Sequence, residues 1–99
     1  MAIVELSIVP IGVASTSMSS YVAEAIRVLE KTSLKYELTS MGTIISGDLD
    51  DILSTMRRMH ESLFTAGAVR VLTQVRIDDR RDKESSMEQK VRSVREKLG

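Results

Sequence analysis

Residues 2–11 alternate between two sides, with Val4, Leu6 and Ile8 on one and Ile3, Glu5, Ser7 and Val9 on the other. A period of two predicts a strand with one buried face, and Pro10 and Gly12 end it. The period then changes. After the hydroxyl-rich run Ser15-Thr16-Ser17-Met18-Ser19-Ser20, Val22, Ala25, Ile26 and Leu29 recur at i, i+3, i+4 and i+7. That stripe predicts a helix reaching about residue 31. Residues 35–40 alternate again, Tyr36 and Leu38 against Glu37 and Thr39, and Met41-Gly42 parts them from Thr43-Ile44-Ile45-Ser46. Two short β-like runs separated by a pair ending in glycine predict a tight hairpin, with Gly42 at positive φ.

A second helix follows Gly47. Asp48 is a good N-cap, and Asp50 and Asp51 place negative charge where the helix dipole favours it. Leu49, Ile52, Leu53, Met56, Leu63 and Phe64 form a broad apolar face, and Gly67 is a natural stop. From residue 69 to 77 the chain alternates once more. Val69, Val71, Thr73, Val75 and Ile77 fall opposite Arg70, Leu72, Gln74, Arg76 and Asp78. The order β-α-β-β-α-β predicts an α+β, ferredoxin-like fold over residues 1–78, its antiparallel sheet carrying both helices on one face. A charged connector at 79–84 leads to a third helix over 85–98, with Ser85 and Glu88 as a capping box. Its seam Met87, Val91, Val94 and Leu98 is heptad-like, and Glu88–Arg92 and Arg92–Glu96 are spaced for i, i+4 pairing. The seam needs cover, from its own domain or from another subunit.

Ninety-nine residues, 42% hydrophobic and 28% charged, suit one globular domain with a thin core. Thin cores favour oligomers. Fourteen basic residues balance fourteen acidic ones, so no net field draws the chain to nucleic acid or an anionic membrane. The absence of cysteine excludes disulfides and thiolate chemistry and suits a reducing compartment. The first residues lack the basic region of a signal peptide, and no window approaches about 18 consecutive apolar residues. A cytoplasmic protein is expected, without membrane or nucleic-acid partners.

Chemistry has few candidates. His60 is the lone histidine, borders an apolar helix face, and forms neither a metal cluster nor an acid–base pair; no metal or cofactor is expected. Asp48, Asp50 and Asp51 are explained by the helix dipole. The hydroxyl run reads either as a helix cap or as a polar-ligand site before free helix N–H groups. Arg70 and Arg76 join Glu5, Glu37, Gln74, Ser7 and Thr39 on a sheet face of mixed sign, either plain solvated sheet or the lining of a pocket. The fold decides no function, and three of its common occupants do not suit these residues. Base stacking fails for want of exposed aromatics on the strands, heavy-metal carriage for want of cysteines, and acylphosphatase-like chemistry for want of an arginine in residues 12–20. A non-catalytic small-ligand module survives. Its candidate contacts are Ser15, Ser17 and Ser19 of the hydroxyl run, Met41, Gly42 and Thr43 of the hairpin, and Glu37 from the open sheet face. The alternative is a structural or regulatory oligomer that binds no such ligand.

Several stretches taken together resemble the YkoF-like thiamine-binding proteins. They are Pro10-x-Gly12 with Ser15, Ser17, Ser20 and Tyr21-Val22; Tyr36-Glu37-Leu38 running into Met41-Gly42-Thr43; His60; Gly67-x-x-Arg70-Val71; and Ile77-Asp78-Asp79-Arg80. The resemblance spans nearly the whole chain. It implies a ferredoxin-like subunit, sheet-to-sheet dimers assembled into homotetramers, and binding of thiamine or its hydroxymethylpyrimidine part without catalysis. Ile45-Ser46-Gly47 stands where the family pattern would carry a glutamate, so no acidic contact is carried over to position 46.

Overall fold

A computed structural model describes residues 1–82 and 86–99. In chain order the elements are β1 (Ala2–Pro10), a single 3-10 turn (Ser15–Ser17), α1 (Met18–Glu30), β2 (Lys35–Thr39), β3 (Gly42–Gly47), α2 (Leu49–Thr65), β4 (Val71–Asp79) and α3 (Met87–Leu98). The strands pair antiparallel in the order β2-β3-β1-β4, which is the ferredoxin-like arrangement with a C-terminal helix added. Register explains the core. Val4 lies between Ile45 and Ile77, and Leu6 between Thr43 and Val75, so one row of β-branched and aliphatic side chains runs under α1 and α2. Val4, Leu6, Leu29, Ile45, Ile52, Met59 and Leu63 are all but sealed from water. Burying each such side chain contributes about 1.5–3 kcal/mol.

The second helix starts and stops as its residues require. The Asp48 carboxylate accepts a hydrogen bond from the Asp51 N–H at 3.2 Å. At the far end Gly67 takes φ 115°, the Gly67 N–H donates to the Phe64 carbonyl, and the Ala68 N–H donates to that of Leu63. These two bonds form a Schellman motif, which needs a residue free to enter the left-handed region. The buried stripe of α2 is Ile52, Thr55, Met59 and Leu63, narrower than the broad face expected. Leu53 and Phe64 lie on its exposed flank, because residues one position off a 3.6-residue stripe are turned about 100° away from it.

Two boundaries move. The hairpin reverses at Ser40-Met41, neither of which has positive φ, while Gly42 opens β3 at φ 155° and pairs with Thr39. The Thr39 hydroxyl donates to the Gly42 carbonyl at 2.9 Å and accepts from the Met41 N–H at 3.2 Å, tying the turn. The last strand begins at Val71 and continues to Asp79; Val69 lies outside it and is exposed.

The third helix packs differently from the other two. Ser85 of the expected capping box lies outside the described residues; the helix is capped by Ser86, whose hydroxyl accepts from the Gln89 N–H at 3.1 Å. Glu88 does not pair with Arg92 but reaches Lys35 on β2, and Lys90 reaches Asp78 on β4. Both partners belong to the sheet face that α1 and α2 leave open, so the first turn of α3 bridges the two outer strands. Beyond it the seam is uncovered: Val94 is 59% and Leu98 81% exposed.

Candidate functional site

Strand β3 ends before β1 does. The last β1–β3 pair is Leu6–Thr43, whereas β1 and β4 stay paired as far as Pro10–Val71. From Ser7 onward one edge of β1 therefore has no neighbouring strand, and its main-chain donors and acceptors face open space. The hairpin tip and α1 wall that space into a cleft of about 590 Å³, within the roughly 300–1,000 Å³ usual for small-molecule sites. Gly42 forms the floor where β3 meets β1: a Cβ there would lie 2.6 Å from the Leu6 carbonyl oxygen. Backbone packing this close requires glycine.

The helical wall is one face of α1. Ser19, Val22, Ala23, Ile26, Arg27 and Glu30 line the cleft at spacings of three and four, the residues of a helix that stack above one another. The hairpin supplies Leu38, Ser40, Met41 and Thr43. Met41 and Leu38 are exposed, leaving apolar surface at the mouth. Thr43 is only 7% exposed, yet among the described residues nothing hydrogen-bonds its hydroxyl, and the oxygen is not sealed from the cleft. At the rim Arg27 pairs with Glu24, while Glu30 makes no ion pair among the described residues. The walls are thus mostly apolar with a few polar groups, the composition that holds and orients a small organic molecule.

Of the expected contacts, Ser19, Met41, Gly42 and Thr43 come together in this cleft. Ser15 and Ser17 lie in the 3-10 turn ahead of α1; neither lines the cleft, and Ser17 makes no side-chain capping bond at the N-cap. Glu37 pairs with Ile44 across β2–β3 and faces the other side of the sheet. There it lines a separate groove with Met87, Glu88, Val91, Arg92 and Arg95 of α3. Alternation along β2 turns Glu37 away from its neighbour Leu38, which lines the cleft. Glu30 escaped the sequence reading, although its spacing from Ser19, Ala23 and Ile26 was a visible signal. His60 sits elsewhere: its Nδ1 lies 2.6 Å from the Thr73 hydroxyl and its ring meets Phe64 edge-on.

A family described as thiamine-binding protein matches residues 4–95. The chain belongs to the thiamine-binding protein family. It is similar to a UPF0045 protein of Methanothermobacter thermautotrophicus, 43% identical over 99 residues that span 99% of this chain and all of that one. That name assigns no activity. Among solved structures it resembles a hypothetical protein from Methanocaldococcus jannaschii, with a TM-score of 0.88 and 39% identity over 96% of each chain. A putative thiamine biosynthesis/salvage protein from Thermotoga maritima shares the fold at a TM-score of 0.82, covering 94% of this chain and 97% of that one at 22% identity. No helix among the described residues is long and apolar enough to cross a membrane.

Proposed function

We propose that the cleft between α1 and the β2–β3 hairpin binds thiamine or its hydroxymethylpyrimidine moiety, without catalysis, in a cytoplasmic homo-oligomer. The observation that carries this reading is the Thr43 hydroxyl, nearly buried, unpartnered within the described residues and open to a cleft of ligand size. A hydroxyl on a buried residue that is unpartnered in the protein yet accessible from the cleft is free to donate to and accept from a ligand's polar group. An aminopyrimidine offers both donors and acceptors. The hydroxyls of Thr43 and Ser19 and the free edge of β1 match it, Met41 packs on the ring, and Glu30 offsets a thiazolium cation. The family's description supports the same ligand class.

Calorimetric titration with thiamine, its phosphates and the free pyrimidine tests the reading. Thr43→Ala is expected to weaken binding by about 1 kcal/mol, the usual worth of one hydrogen bond. Ser17→Ala, outside the cleft, is expected to leave affinity unchanged. An unaltered affinity in Thr43→Ala beside a lowered melting temperature would make that hydroxyl structural and remove the main support for this site.

A further inference from the structure

The two outer strands of the sheet are built differently. β2 has five residues, Lys35 and Glu37 among them, and α3 is tied to both outer strands, through Lys35–Glu88 and Lys90–Asp78. A very short edge strand resists adding another strand. β4 has nine residues, contains no proline or glycine, and leaves Leu72 49% and Ile77 48% exposed. The exposed flank of α2 runs alongside it, since His60 is hydrogen-bonded to Thr73 and in contact with Phe64. Such an edge is a template for another strand, and the question is which one.

We propose that β4 pairs with β4 of a second copy of this chain, antiparallel about a two-fold axis at Gln74. Residues directly opposite must share a face, so only a few registers bring the strands together. An axis at Arg76 sets that guanidinium against its own copy, and like charges directly opposite are unfavourable. An axis at Val75 places Leu72 opposite Asp78 and Val71 opposite Asp79, burying apolar groups against carboxylates. An axis at Gln74 places Arg70, just ahead of β4, opposite Asp78 twice over, Ile77 opposite Val71, Val75 opposite Thr73, Leu72 opposite Arg76, whose aliphatic stem can cover it, and the two Gln74 amides together. Arg70 makes no ion pair among the described residues, and Asp78 engages Lys90 through one carboxylate oxygen, Oδ2. The edge is therefore complementary to itself in charge, as a two-fold interface requires. The inference rests on the self-association proposed above but not on ligand binding.

The chain has no cysteine, so single cysteines report the interface cleanly. Opposed Cβ atoms at the axis lie about 4.5–5.5 Å apart, within reach of a short thiol-bridging reagent. Gln74→Cys is expected to cross-link almost completely to a species of twice the 11.0 kDa chain mass, while Ser54→Cys on exposed α2 surface, the collision control, is not. Arg70→Glu is expected to raise the dimer dissociation constant roughly tenfold, and Arg70→Glu with Asp78→Arg to restore it. Sedimentation showing only the 11.0 kDa species at ~100 µM, a concentration at which roughly micromolar dimers are saturated, would overturn both this interface and the oligomer. An oligomer in which Gln74→Cys cross-links no better than Ser54→Cys would overturn this interface alone and direct attention to the open sheet face or the α3 seam.

Discussion

A methyl group at Gly42 would meet two obstacles. The residue sits at φ 155°, and the new Cβ would lie 2.6 Å from the Leu6 carbonyl oxygen, which β1 holds in place. Gly42→Ala is expected to destabilise the protein by roughly 1–2 kcal/mol, lowering the melting temperature by about 4–8 °C for each kcal/mol in a domain of this size. A thermal melt checks it; an unchanged midpoint would mean that β1 and β3 do not approach as described. The positive φ of this position was legible in the sequence, but its place at the head of β3 rather than in the turn was not, nor was the contact with Leu6, since nothing local reveals which strand will lie alongside. Glu37 shows the same limit in reverse. Alternation along β2 puts it on the open sheet face, but nothing in the sequence shows that α1 and the hairpin build the cleft on the other side. Glu30 was legible in principle, being in phase with Ser19 and Ile26. A stripe traced only through the apolar members of α1 passes it by.

At the scale of elements, the six units of the βαββαβ core could be read from their periods of two and 3.6, and the ends of α2 from Asp48 and Gly67, while the hairpin turn lies one residue earlier than its glycine suggests. The third helix could be found but not placed, because its seam says that cover is needed and not which surface gives it. Among the described residues its ion pairs to the sheet are Lys35–Glu88 and Lys90–Asp78, all four side chains at least partly exposed. The hydrogen bond from Lys35 holds the Glu88 carboxyl below its ordinary range. A carboxyl depressed in the folded state stabilises above its unfolded pKa, and that contribution disappears as pH falls through the folded value. Acidification below the usual glutamate range is therefore expected to loosen α3 before the core unfolds. Amide exchange of α3, already faster than that of α2 because so little of it is buried, is expected to accelerate further there. Equal protection of α2 and α3 across that range would contradict this account of how the helix is held.

Over the whole molecule, the cleft and the β4 edge occupy different parts of one sheet. The cleft is built from α1, the β2–β3 hairpin and the free edge of β1, with Met59 from α2; no residue of β4 lines it. The edge strand lies on the far side of β1, which stands between it and the hairpin. Binding and pairing are consequently separable, each completed within its own set of residues, and a ligand with no differential contact to the paired and unpaired states cannot shift that equilibrium. Arg70→Glu, expected to dissociate the pair, is therefore expected to bind thiamine or the free pyrimidine with an affinity within about twofold of the parent chain, a difference under 0.5 kcal/mol. Stability should respond to both partners. Anything that binds only the folded chain raises its melting temperature with concentration, so the parent's midpoint should climb with protein concentration as well as with ligand, and that of Arg70→Glu chiefly with ligand. Thermal melts across a matrix of protein and ligand concentrations distinguish the two dependences. If Arg70→Glu loses ligand affinity in proportion to its loss of self-association, the cleft is completed across subunits and the site described within one chain is only part of it.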